Sequence, residues 1–199
     1  MTDRRVSADL FPFLARFAQE TRLPLTIISA QLVETASGTP SRLAEVTTMT
    51  VSHTGATTRS SYLFDATLVA TTTAPARRVS GLGARSVVPF ERFYDTLTRV
   101  HLSTLVVGFG CAKSDIPLLT SLMESISVPV LRPKSLLDLQ SVWWEAQKAE
   151  AGDLSAAAAS YGIPLKSAAI SEEVVIAVAR LLEAMLWRLG CDSVAKGIR

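Results

Sequence analysis

The chain has 199 residues, of which 48% are hydrophobic and 19% charged, enough for one sizeable core and too few for several. Its 20 basic and 18 acidic side chains leave a formal charge of +2, which advertises no polyanion partner over the whole surface. Cys111 and Cys191 are too few for a disulfide framework or a zinc ribbon and read as reduced thiols of a cytoplasmic protein. The N-terminus carries no apolar stretch of signal-peptide length, and no run approaches a membrane span.

In chain order, Ser7 to Thr21 places Leu10, Phe13, Leu14 and Phe17 at helical spacing, with Ser7 as N-cap, and Leu23-Pro24 breaks the helix. Leu25 to Val33 reads as a buried strand. Arg42 to Val51, alternating and rich in Thr and Val, is a second. His53-Thr54-Gly55 is turn chemistry, and Ser60 to Val69 returns as a third strand of an antiparallel meander. A Thr, Ala, Arg and Gly-rich connection over Thr71 to Ser86 leads to a helix over Pro89 to His101. Thr104 to Phe109 is near-continuously apolar, as for a strand covered on both sides. Then come a helix over Asp115 to Ile126, a short strand over Val128 to Leu131 and helices over Ser135 to Ala149, Asp153 to Tyr161 and Ser171 to Leu189. The tail after Gly190 is expected to fray. Three antiparallel strands followed by alternating helices and strands make a mixed α/β sheet covered by helices.

Several short segments carry the chemistry. Leu32-Val33-Glu34-Thr35-Ala36-Ser37-Gly38 follows the first strand, Ser80-Gly81-Leu82 lies in the long connection, and Gly110-Cys111-Ala112-Lys113-Ser114-Asp115 joins a strand to a helix. Ser135-Leu136-Leu137-Asp138-Leu139, Asp153-Leu154 through Tyr161-Gly162-Ile163, and Ser167-Ala168-Ala169-Ile170-Ser171-Glu172-Glu173 complete the set. In this order they resemble the motifs of the RNase H-like DEDDh 3′–5′ exonuclease family, which includes the proofreading subunit of bacterial replicative polymerases. The resemblance runs from about Leu25 to Leu189 and rests on the succession of matches rather than on any one motif. It implies an α/β, RNase H-like fold: a mixed five-stranded sheet, three strands antiparallel then two parallel, flanked by helices. Residues 1–22 are then an N-terminal helical extension, 23–190 the exonuclease-like domain and 191–199 a tail.

The family works with two divalent metals held by four carboxylates and with a His as general base, the metals clamping the attacking water and the leaving oxygen. Its opening Asp-x-Glu-Thr-Thr-Gly matches here with Leu32 at the Asp position and Glu34 retained. A second register would put Ser29 and Gln31 at the two carboxylate positions, and the first is preferred because Arg42-Leu43-Ala44-Glu45-Val46 then falls on the family's next strand. In the middle motif, His-Asn-Ala-x-Phe-Asp, Ala112 and Asp115 survive. In the last, the base His is Ser167 and the final Asp is Glu172. Loss of a general base alone costs about 10² to 10⁴ in rate. With the leading Asp gone as well, the resemblance implies a pseudo-exonuclease serving as a protein- or nucleic-acid-binding scaffold, with no cofactor. The alternative is a divergent 3′–5′ exonuclease holding Mg or Mn on Glu34, Asp115 and Glu172.

Expected partners are a protein or a second copy of the chain, with a single-stranded 3′ end as the nucleic-acid option and no membrane. Lys113, Arg77, Arg78 and Arg85 are the candidate nucleic-acid contacts, set against the plainer reading of solvated loop and helix-start residues. The plain readings elsewhere are Asp115 as a helix N-cap, Glu34 as a solvated turn residue, and Glu172 and Glu173 as macrodipole partners. His53 and His101 are expected at the surface and Cys111 as an inert buried thiol. Of Trp143 and Trp144, one is expected packed and the other available to a partner.

Overall fold

The computed structural model describes residues 4–6, 11–33, 42–64, 90–148, 152–165 and 171–198. Its strands are β1 (Arg4–Val6), β2 (Leu25–Val33), β3 (Arg42–Val51), β4 (Thr57–Leu63), β5 (Leu105–Gly108) and β6 (Leu136–Asp138). Its helices are α1 (Pro12–Thr21), α2 (Phe90–Ser103), α3 (Asp115–Ser125), α4 (Leu139–Gln147), α5 (Leu154–Ser160), α6 (Ser171–Leu189) and α7 (Cys191–Ala195). Among the described residues the strands form one sheet in the order β1-β4-β3-β2-β5-β6. β2, β3 and β4 pair antiparallel, while β5 and β6 join β2 in parallel. The expected arrangement of three antiparallel and two parallel strands is therefore present, with β1 added antiparallel along β4 as an edge. A three-residue strand, Arg4-Arg5-Val6, has too little length to show a period.

The strand period of two sorts the apolar residues onto two faces. Leu25, Ile27, Met49, Val51, Leu105 and Val107 lie under α1 and α6, in a core that Leu14, Phe17, Val178, Leu182 and Met185 complete. Ile28, Val46 and Val106 face the other way, against Phe93 and Leu97 of α2 and Leu119 and Met123 of α3. β5 is buried along its whole length, as its unbroken apolar run implies.

Two element starts differ from the sequence reading, each for a local reason. The described part of the first helix starts at Pro12, whose fixed φ and missing N–H suit a first helical position, and Ser7 lies outside the described residues. Its first-turn donors are satisfied from across the fold: the Glu183 carboxylate on α6 accepts from Phe13 N–H at 3.0 Å and Leu14 N–H at 2.8 Å. β4 begins at Thr57 instead of Ser60, because the turn at His53-Thr54-Gly55 closes tightly enough for Thr57 to pair with Val51. Gly55 supplies the positive φ of 80° that this turn needs.

The expected strand at Val128 to Leu131 is irregular, and the fifth meander-plus-parallel strand is Leu136–Asp138, where a helix start was expected. Pro129 and Pro133 cannot donate to a ladder, and this stretch is instead held against α2 and α3, with Val128 N–H donating to Met123 O at 3.1 Å and Lys134 N–H to His101 O at 2.9 Å. Tyr94 Oη–H donates to Pro129 O at 2.9 Å, and Leu131 N–H points at Met123 Sδ at 3.4 Å. The tail does not fray as expected: α7 buries Val194, and Ile198 bridges to Leu137 of β6.

His101 corrects another expectation. It is fully buried rather than at the surface, with Nδ1 3.2 Å from Leu131 O and its buried Nε2 without a partner among the described residues. Burial pushes its pKa below the ordinary value, against a smaller upward pull from the Leu131 carbonyl. A depressed folded-state pKa means that the unfolded chain takes up the proton first. The stability tied to neutral His101 is thus present above about 6.5 and lost as pH falls through the depressed value. Urea midpoints of the wild type are expected to fall between pH 7.5 and 5.5 by more than those of His101→Phe; equal slopes would remove His101 as the cause.

Candidate functional site

The segment after β5 must turn sharply to start α3. Gly110 takes φ 69°, and its carbonyl collects Lys113 N–H at 3.0 Å, Ser114 N–H at 3.1 Å and Ser114 Oγ–H at 3.0 Å. Gly108 is needed for a different reason, since a Cβ there would run into the Cβ of Cys111. Cys111 is fully buried under this turn. Burial, then the charges of Asp138 and Asp115, push its thiol far above the ordinary range. It is the buried thiol that the sequence leads one to expect.

Asp138 holds the turn from below. Standing at the end of β6, its Oδ1 accepts from Gly110 N–H at 2.8 Å and Gln140 N–H at 3.0 Å, and its Oδ2 from Ala112 N–H at 3.1 Å. One carboxylate thereby caps α4 and ties two turn amides across the β5–β6 boundary. It was not among the candidate residues read from the sequence. The available signal was an Asp immediately before the helical Leu139-Gln140, an ordinary N-cap pattern that says nothing about the amides arriving from another strand.

Asp115 is the surviving motif carboxylate, and its role differs from the expected N-cap. The N-cap is Ser114, which makes no side-chain cap bond, and Asp115 is the first residue of α3. Its Oδ1 accepts from Ala30 N–H at 2.6 Å and its Oδ2 from Ser114 Oγ–H at 2.6 Å. β2 pairs with β5 over Leu25 to Ile27. The Ala30 amide lies beyond that pairing, and Asp115 satisfies it where β5 has ended. The carboxyl is 8% exposed, and burial raises its pKa against the lowering pull of these two hydrogen bonds.

The β2 position in contact with Asp115 is thus Ala30, flanked by Ser29 and Gln31, the pair of the second register. Leu32 continues the strand past a bulge between Gln31 and Leu32. Glu34, Ser167, Arg77, Arg78 and Arg85 lie outside the described residues. Glu172 is half-buried in the first turn of α6. Lys113 is exposed, its Nζ 5.5 Å from the Trp144 ring centroid, in cation–π range. Trp143 is the packed member of the pair, donating Nε1–H to Ser160 Oγ at 3.1 Å, while Trp144 is half-buried. Beside Asp115 a recess of about 360 Å³ is lined by Ala30, Lys113, Ser114, Pro117, Leu118 and Ser121.

A two-metal centre needs carboxylate oxygens free to face the cations and several of them together. Among the described residues, no three His, Cys, Asp or Glu side chains gather as a metal-holding group. Both oxygens of Asp115 and both of Asp138 already accept protein hydrogen bonds. Among the described residues, the carboxylates brought together at this turn are engaged in holding the backbone. In these bonds Asp115 fastens β2 to the start of α3, and Asp138 fastens the turn after β5 to the start of α4.

At the level of sequence, no protein-family model and no curated protein matches the chain. Solved structures do match. A full-length 3′-exonuclease superposes with a TM-score of 0.64 at 13% identity, over 84% of this chain and 83% of that one. Pop2p of S. pombe, in its Mg2+- and Mn2+-bound form, gives 0.61 at 10% identity, over 94% and 92%. E. coli exonuclease I in complex with a dT13 oligonucleotide gives 0.60 at 13% identity over 83% of this chain, which spans 41% of that enzyme. The fold is the RNase H-like α/β fold of the 3′-exonucleases. At these identities the likeness is one of architecture.

No helix among the described residues is long and apolar enough to cross a membrane.

Proposed function

We propose that this chain is an exonuclease-fold domain that binds rather than cuts, working without a metal cofactor. The observation that supports this most directly is the engagement of Asp115. A carboxylate spent on Ala30 N–H and Ser114 O–H, beside Ser29 and Gln31, stabilises the frame of a site instead of charging a metal. The binding surface would be the recess beside it, with exposed Lys113 at its edge and the arginines Arg77, Arg78 and Arg85 as further phosphate contacts. A single-stranded 3′ end is the nucleic-acid ligand that this geometry suits, and E. coli exonuclease I, of the same fold, is found with an oligonucleotide. A protein partner or a second copy is the other class of occupant.

The competing reading is a divergent 3′–5′ exonuclease using Glu34, Asp115 and Glu172 with Mg2+ or Mn2+, favoured by the metal-bound form of Pop2p. One experiment separates the two. The protein is incubated with 5′-labelled single-stranded DNA and RNA in Mg2+ or Mn2+, and cleavage and anisotropy are read from the same samples. The proposal expects intact substrate, with any binding weakened by Lys113→Ala and by added salt. Stepwise shortening from the 3′ end that Asp115→Asn abolishes would establish the enzyme reading instead.

A further inference from the structure

A second concavity lies away from the Asp115 turn, between the start of α1, the exposed flank of α6 and the β3–β4 strands. It encloses about 440 Å³, within the range of roughly 300–1,000 Å³ usual for small-molecule sites. Its apolar wall is Phe11, Phe13, Met49, Ile176 and Ala184, and Trp187 stands at the rim, 68% exposed. On α6 the lining residues Ile176, Arg180, Ala184 and Trp187 follow the helical three-to-four spacing, so they form one stripe.

The polar groups of this groove do not balance. Arg59 projects into it from β4, directly opposite Met49 in the ladder, and its buried Nε has no hydrogen-bond partner among the described residues. A guanidinium cannot shed its proton, and a buried donor left unmade is costly. Arg180 adds a second positive charge along the wall. The carboxylate lining the groove, Glu183, has one oxygen on Phe13 N–H and the other on Leu14 N–H. Its charge is committed to the N-terminus of α1. Among the described residues, the groove offers no acceptor to Arg59 Nε, which is set against an apolar wall.

We propose that this groove is a binding site for an amphipathic monoanion, an acyl or aryl body carrying one carboxylate. The carboxylate pairs with Arg59, for which it offers the matching planar acceptor, and the body lies along Met49, Ile176 and Trp187. An apolar alcohol of the same length fills the wall but leaves Arg59 short of charge, and a cationic amphiphile is repelled by both arginines. The site is independent of the exonuclease-fold reading, since it uses no residue of the Asp115 turn.

The probe is decanoate, titrated calorimetrically into the full chain, with decanol and decyltrimethylammonium as matched controls and Trp187 emission as a second readout. Decanoate is expected to bind one to one and shift the emission to the blue, with decanol at least tenfold weaker. Arg59→Met is expected to weaken decanoate about ten- to a hundredfold, the value of a charged hydrogen bond, and to leave decanol unchanged. Should Arg59→Met fail to fold by circular dichroism, Ala184→Phe, which fills the groove from a half-exposed helix position, is expected to abolish decanoate binding. Equal affinity for decanol, no saturable decanoate binding, or unaltered binding by Arg59→Met would overturn the proposal. A Trp187 signal that follows protein concentration and ignores decanoate would assign the groove to a second copy instead.

Discussion

Asp138→Ala is expected to destabilise the chain by about 3 kcal/mol and to make Cys111 reactive. The first figure follows from the three amides that the carboxylate satisfies, those of Gly110, Ala112 and Gln140. A buried donor left without its acceptor costs about 1–3 kcal/mol, and loss of an N-cap typically about 1, so three amides at a partly rehydrating turn come to about 3. The second expectation follows from position. Cys111 is sealed beneath the segment that these bonds hold, and release of that segment opens the thiol to solvent. Asp138→Asn keeps an acceptor for Gly110 and Gln140 but turns an amide donor towards Ala112 N–H, so an intermediate loss is expected. Urea unfolding measures the stability, and the rate of labelling by a thiol-specific disulfide reagent under native conditions measures the opening. A variant within about 1 kcal/mol of wild type that labels no faster would show the turn to be held by its internal Gly110 bonds alone.

The elements were legible where a periodic pattern had a single solution. The strands at Leu25 and Arg42 and the long helix at Ser171 are read at the limits the structure gives, from an apolar strand run, an alternating Thr- and Val-rich run and a three-to-four stripe. The stretch from Val128 to Leu139 was not. Val-Pro-Val-Leu has the composition of a strand, but Pro129 removes a ladder donor and the Val128 and Leu131 amides turn to Met123 of α3, whereas Leu136-Leu137-Asp138 pairs alongside β5. Burial of His101 was equally hidden: the ring is enclosed by the same irregular stretch, whose path is set by Tyr94 and Met123. At the site, the sequence identified Asp115 as the carboxylate to watch. It could not reveal that Ala30 N–H lies within 2.6 Å, because that contact depends on where β5 stops relative to β2. The Arg59 groove was illegible for the same kind of reason, being assembled from α1, β3, β4 and α6.

Asp115→Ala and Asp115→Asn are expected to separate a structural carboxylate from a metal ligand without recourse to substrate. Alanine leaves Ala30 N–H and Ser114 O–H without an acceptor beside a buried strand end, at a cost of about 2–4 kcal/mol. Asparagine retains one oxygen for Ala30 N–H and is expected to cost no more than about half of that. A metal ligand would behave differently: the asparagine variant would match alanine in losing a divalent-ion shift of the unfolding midpoint, and without metal both would gain from removal of a buried charge.

The pH dependence carries the same distinction. Burial raises the Asp115 pKa above its ordinary value of about 3.9, so the folded chain takes up this proton before the unfolded chain does. The stability linked to that proton is fully present below the ordinary value and is lost as pH rises through the raised one. Relative to Asp115→Asn, which does not titrate, the wild type is therefore expected to gain stability as pH is lowered across this window. Urea midpoints of the pair, measured from pH 7 downward with and without Mg2+, provide the test. A carboxylate serving as a cation ligand would reverse the trend in Mg2+, with the wild type losing stability against asparagine as protons displace the ion. The frame reading expects the trend to be the same in both buffers.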